Sequence, residues 1–114
     1  MENVYSDGFI TSTRNTRLFF RQWTAPSPRG SLIIVHGVGE HSGRYDEFAR
    51  FLAEKGLSVF SFDLEGFGRS QGIRGHIADF NYYAQDTKLF IDHVRASLKE
   101  EAPLFLLGHS MGAT

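Results

Sequence analysis

The 114-residue sequence contains no cysteine. That excludes disulfide staples, thiol nucleophiles and cysteine-bound metals. No apolar run approaches the roughly 18 residues that read as a membrane helix. The stretch Met1 to Asp7 has neither the basic nor the apolar segment of a secretory leader. The net charge is −1, so no basic field points to nucleic acid and no acidic tail is present. The lack of a leader and of a membrane helix makes a soluble, cytoplasmic protein the expectation, with no more than transient contact with a membrane surface.

Hydrophobic residues make up 41% and charged residues 22%, which is globular rather than disordered. Eleven residues are Phe; they suit a packed core or an acyl-chain pocket. Two short segments, Gly8 to Thr11 and Leu18 to Trp23, flank a turn at Arg14-Asn15-Thr16 and read as a hairpin. Pro26 to Gly30 is a loop. Leu32-Ile33-Ile34-Val35 is a continuous apolar run, the mark of a strand buried on both faces.

Tyr45, Phe48, Ala49 and Leu52 recur at helical spacing, with Ser42 near enough to cap and Gly56 placed to terminate. Leu57 to Phe62 is a second strand, and a glycine-dense loop follows from Asp63 to Gly75. Phe80, Tyr83, Ala84, Thr87, Ile91, Val94 and Leu98 form another helical stripe behind a candidate cap, Asp79. After Pro103, Leu104 to Leu107 is a third buried strand. A hairpin, then strand, helix, strand, helix, strand predicts an α/β fold with parallel strands and flanking helices in three αβα layers. The last strand should be central, covered by a helix and paired on both sides. The expectation is that the natural domain continues past Thr114.

Gly108-His109-Ser110-Met111-Gly112 follows that last strand directly. Gly-x-Ser-x-Gly in this context predicts a nucleophile elbow, a turn so tight that its flanking positions need glycine. A glycine-rich turn with an incidental serine is the plainer alternative. His36-Gly37-Val38-Gly39 ends the first buried strand. An oxyanion hole needs backbone N–H groups aimed at developing charge, one from the residue after the nucleophile and one from a neighbouring glycine-rich loop. Met111 and Val38 occupy those places. Their side chains need not be polar, because the backbone supplies the donors.

The other polar features read as structural. Gly66-Phe67-Gly68 lacks the third glycine of a dinucleotide-binding turn, since Gln71 stands there, and no helix is predicted to open at that point. His36 and His41 are five apart on a loop without a carboxylate cluster, so no metal site is expected. His36 and His109 are expected to brace their loops rather than act as a base, since an elbow turns the preceding side chain away from the hydroxyl. His93 falls off its helical stripe and is expected in solvent. Asp46 and Glu47 open a helix, where negative charge suits the macrodipole.

Taken together, these motifs resemble the α/β-hydrolase family, within it the branch of monoacylglycerol lipases, lysophospholipases and S33-type serine aminopeptidases. The similarity runs from about Asp7 to Thr114 and is carried by His36 to Tyr45, Asp63 to Gly72, and Gly108 to Gly112, in matching order. The resemblance implies that residues 1–114 are the N-terminal part of one hydrolase domain, cut just after the elbow. It implies Ser110 as nucleophile, Val38 and Met111 as oxyanion donors, and His36, Gly37, Gly39, Gly108 and Gly112 as the shape of the site loops. It implies acyl transfer from a small carboxylic ester, monoacylglycerol or lysophospholipid, with no cofactor and no stable protein partner.

The triad aspartate and histidine of the branch lie after the elbow and have no counterpart here. The sequence departs from the branch at Phe67, where His is common, and at Ala113, where Gly is frequent. Serine at the nucleophile position argues against dehalogenases and epoxide hydrolases of the same fold, which use aspartate. Two alternatives stay open. One is an inactive fragment or acyl-binding remnant, poorly soluble and without useful turnover. The other is a peptidase or another esterase of this fold.

Overall fold

The computed structural model describes residues 4–37, 41–77, 79–98 and 102–108. Strands β1 (Val4–Thr11) and β2 (Arg17–Thr24) form the expected antiparallel hairpin, with Thr11 opposite Arg17. The turn is closed by Ser12, whose hydroxyl accepts from the N–H groups of Arg14 and Thr16 at 3.2 Å each. Strands β3 (Gly30–Val35), β4 (Leu57–Phe62) and β5 (Leu104–Gly108) follow. The sheet order is β1-β2-β4-β3-β5. β4 pairs antiparallel with β2 and parallel with β3, which pairs parallel with β5. The hairpin therefore extends the sheet at one edge, and β3 lies between the two strands parallel to it.

Helices α1 (Asp46–Glu54) and α2 (Asn81–Ala96) cover opposite faces. Neighbouring residues of a strand point to opposite sides, and the core divides accordingly. Ile33, Val35, Phe60 and Phe62 pack with Tyr83, Phe90 and Val94 of α2. Ile34, Val59 and Trp23 pack with Ala49 and Ala53 of α1. The run Leu32 to Val35 is apolar throughout because both faces of β3 are covered. The expected three-layer arrangement is thus observed. Among the described residues, no helix is long and apolar enough to cross a membrane.

Several local expectations need correction. Ser42 does not cap α1: it opens a 3₁₀ turn, Ser42–Tyr45, that runs into the helix. Phe48 is exposed, and Ala49 and Ala53 make the buried contact instead, because small side chains let α1 lie close to the sheet. In α2 the buried stripe is Tyr83, Asp86, Phe90 and Val94. Phe80 and Ala84 are exposed. Asp79 does engage the start of α2, its carboxylate accepting from the Asn81 N–H at 2.9 Å. Among the described residues β5 pairs with β3 alone, and Phe105, Leu106 and Leu107 are exposed there; the elements that should cover this strand are expected past Thr114. Gly56 ends α1 with φ +93° as expected, and His93 is exposed, although its ring stacks on Phe90.

Candidate functional site

The parallel pairing of β3 and β5 places two loops side by side. Val35 and Gly108 are partners in register. The carboxyl ends of β3 and β5 therefore lie at one level, with His36-Gly37 following the one and Gly108 closing the other. Parallel strands share a carboxyl end, and ligands of open α/β sheets bind outside it. Gly37 is buried, and Gly108 ends its strand half-buried. Ser110, Val38, Met111, Gly39 and Gly112 lie outside the described residues, as does His109.

The described part of the site is built on the loop after β4. His36 is fully buried. Its Nε2 accepts from the Leu64 N–H at 2.9 Å. That leaves Nδ1 as the donor, toward the Gly37 carbonyl at 2.7 Å. With both ring nitrogens engaged by backbone, His36 has none left for a substrate proton. The edge of Phe67 meets the same ring, centroids 5.7 Å apart. His41 is exposed, and its Nδ1 accepts from the Gly43 N–H at 3.1 Å.

Asp63 is the residue whose part the sequence did not disclose. It is fully buried. One carboxylate oxygen accepts from the Ser42 N–H at 2.6 Å and the other from the Arg69 N–H at 2.8 Å. Its carbonyl accepts from the Ser70 hydroxyl, which in turn accepts from the Phe19 N–H at 2.8 Å. The one signal available was position: an acid directly at the end of a strand buried on both faces, where a charge survives only if backbone donors surround it. Arg74 closes the rest of the loop, its guanidinium donating to the carbonyls of Gly68, Ser70 and Gly72. No helix opens here, so no helix terminus faces a phosphate.

The outer side of this loop is tied to the hairpin and to α2. Arg14 donates to Glu65 at 2.7 Å and to both oxygens of Asp86. Its ring neighbour is Tyr82, 4.1 Å from the guanidinium carbon. Burial pushes the Asp86 carboxyl above its ordinary value, and the Arg14 hydrogen bonds oppose that without cancelling it. Arg14 is in turn held more firmly protonated, chiefly by Asp86. Burial, then the charges of Glu65 and Asp86, raise Tyr83. Among the described residues, no three His, Asp or Glu side chains converge as metal ligands.

Comparisons with known proteins agree with this geometry. The pattern of the serine aminopeptidase S33 family matches residues 26–114. A human monoglyceride lipase is 43% identical over 98 residues, covering 83% of this chain and 31% of its own length. A monoacylglycerol lipase from Mycolicibacterium smegmatis is 36% identical over 113 residues, covering 98% and 40%. In structure, a soluble variant of monoglyceride lipase from Saccharomyces cerevisiae, solved with a substrate analogue, superimposes with a TM-score of 0.85. That match is 24% identical and covers 98% of this chain and 37% of the other. The chain thus spans about a third of the length of the relatives it matches. With its strand order, its paired motif-bearing strand ends and this sequence pattern, the chain belongs to the serine aminopeptidase S33 family of α/β-hydrolases and resembles monoglyceride lipases within it.

Proposed function

We propose that this chain carries the nucleophile and oxyanion-forming loops of a serine hydrolase that cleaves carboxylic esters of the monoacylglycerol class. The observation that carries this reading is the register pair Val35–Gly108. It brings the starts of the glycine-rich loop and the serine pentad together on adjacent strands. Ser110 is the nucleophile, and the N–H groups of Val38 and Met111 are the oxyanion donors. The Ser110 hydroxyl attacks the ester carbonyl and forms an acyl-enzyme as the glycerol alkoxide leaves and takes up a proton; water then releases the fatty acid.

The proton acceptor is not His36, whose two nitrogens are engaged. We assign it to a histidine in the two-thirds of the relatives' length that these residues do not span, oriented by an acid from the same part. Residues 1–114 alone are therefore assigned no useful turnover. The identity to monoglyceride lipases supports monoacylglycerol as the substrate class over a peptide.

The test uses the complete natural reading frame and its Ser110→Ala variant, assayed on monooleoylglycerol, lysophosphatidylcholine and a proline-containing peptide. Ester hydrolysis should fall by about three orders of magnitude or more in the variant. Hydrolysis of the peptide alone would move the reading to an aminopeptidase. Ester hydrolysis that survives Ser110→Ala would remove Ser110 from its role.

A further inference from the structure

The segment from His36 to Ser42 is tied at both ends to two consecutive residues of a different loop. At its start, His36 accepts from the Leu64 N–H. At its far end, the Ser42 N–H donates to Asp63. Five residues, 37 to 41, lie between the ties. The outer tie is braced from β2 as well: Arg21 Nε donates to the Ser42 hydroxyl at 3.0 Å, and Arg21 also donates to the Tyr5 hydroxyl at 3.0 Å.

We infer that Asp63 is a positioning residue for the oxyanion-forming loop, holding through the Ser42 N–H the far end of the segment that carries Val38. The inference rests on the proposed assignment of Val38. An oxyanion donor acts only when its nitrogen sits about 2.7–3.1 Å from the developing charge. A loop that drifts by an ångström forfeits that contact while leaving the acyl chain bound. A carboxylate suits the task because both its oxygens accept, one from each loop. Asparagine has the same shape but accepts through one atom only, so its NH₂ must face one of the two backbone donors.

The test compares Asp63→Asn with wild type in the complete natural chain, at a temperature where both are folded. The expected result is a kcat lower by about 10- to 100-fold, short of a fully deleted donor, with KM within twofold. Gln71→Ala loosens the same loop on its β2 side, where the Gln71 side-chain oxygen accepts from the Arg17 N–H at 2.8 Å, and serves as the structural control. It should lower Tm with kcat within threefold of wild type. Ser42→Pro removes the donor itself, and its ring turns the Asp63 carboxylate aside, so the tie is broken from the other end. Proline is tolerated at the first position of a helical turn, and His41 before it is already extended, at φ −158° and ψ 166°. Its kcat is read against Ser42→Ala, which loses the hydroxyl but keeps the N–H.

A kcat for Asp63→Asn within twofold of wild type, or for Ser42→Pro within twofold of Ser42→Ala, would overturn the inference. So would an equal kcat loss in Gln71→Ala. If either result came with ester hydrolysis still abolished by Ser110→Ala, only the positioning role would fall. If Ser110→Ala stayed active, the functional reading itself would fail.

Discussion

The guanidinium of Arg14, in the turn of the N-terminal hairpin, grips the carboxylate of Asp86 in the middle of α2 through two hydrogen bonds, of 3.1 and 2.7 Å. The pair spans 72 residues of sequence and joins the edge hairpin to the helix layer. Its two partners are not equally buried: the Asp86 side chain is 2% exposed and that of Arg14 is 18%. Arg14 also has a second partner, Glu65.

That asymmetry predicts unequal losses. Removing one member of a buried pair costs about 3–5 kcal/mol when the other charge is left stranded. Arg14→Ala strands Asp86 and should fall in that range. Asp86→Ala leaves Arg14 with Glu65 and access to water, so its loss should be smaller, about 1–2 kcal/mol. The pH dependence has a definite sign. An acid whose folded pKa is raised favours folding below its unfolded pKa, and that contribution disappears as pH rises through the folded value. Without Arg14 the folded pKa of Asp86 climbs further. The Arg14→Ala deficit should therefore be largest above neutrality and shrink on acidification. Urea unfolding at pH 5 and pH 8 measures it; a deficit independent of pH would show that Asp86 is not the stranded group.

The loop after β4 supplies a paired comparison between two glycines of similar backbone. Gly68 has φ +51° and Gly75 has φ +72°. An added Cβ at Gly75 meets nothing within 4 Å, whereas at Gly68 it falls 2.3 Å from Asp63 Oδ2. Gly75→Ala should cost only the left-handed backbone penalty, about 1–2 kcal/mol. Gly68→Ala must in addition displace a buried carboxylate from its donors, so its loss should exceed that of Gly75→Ala by about 2 kcal/mol or more. Equal losses in chemical denaturation would mean that the loop yields at Gly68 without disturbing Asp63.

What could be read beforehand was set by periodicity and by tight turns. The run from Leu32 to Val35 announces a strand covered on both faces, and the order of elements then fixes three layers. What escaped was polar burial, because a charged side chain carries no mark of its partner. Asp86 sits on the buried stripe of α2 but is absent from the apolar pattern, and its place there is explained only by Arg14, far away in sequence. The stripe itself was assigned through Ala84, one residue off the face that carries Phe90. Ser42 reads as a helix cap by its spacing, and only the intervening 3₁₀ turn frees its N–H for Asp63. Of the candidate site, the strand ends were legible, since Val35 and Gly108 each close an apolar run. The ties that fix the loop between them were not.

The open edge of the sheet leads to the last prediction. Phe105 and Leu107 of β5 stand opposite Leu32 and Ile34 of β3. Ile34 is fully buried, yet Phe105 is 56% exposed and Leu107 43%. Leu106, pointing to the other face, is 57% exposed. An apolar strand that pairs on one side only among the described residues is a template for pairing with a second copy. The 114-residue chain should therefore self-associate, with β5 as the contact. Phe105→Thr with Leu107→Thr introduces β-branched residues suited to a strand while removing the apolar surface. Exposed positions give up little on folding, so stability should change by no more than about 0.5 kcal/mol per site. Sedimentation velocity of the two chains at equal concentration decides the matter. A shift of the double variant toward monomer supports β5 as the contact, and an unchanged distribution transfers it to another exposed aromatic, among Phe9, Phe48, Phe51 and Phe80.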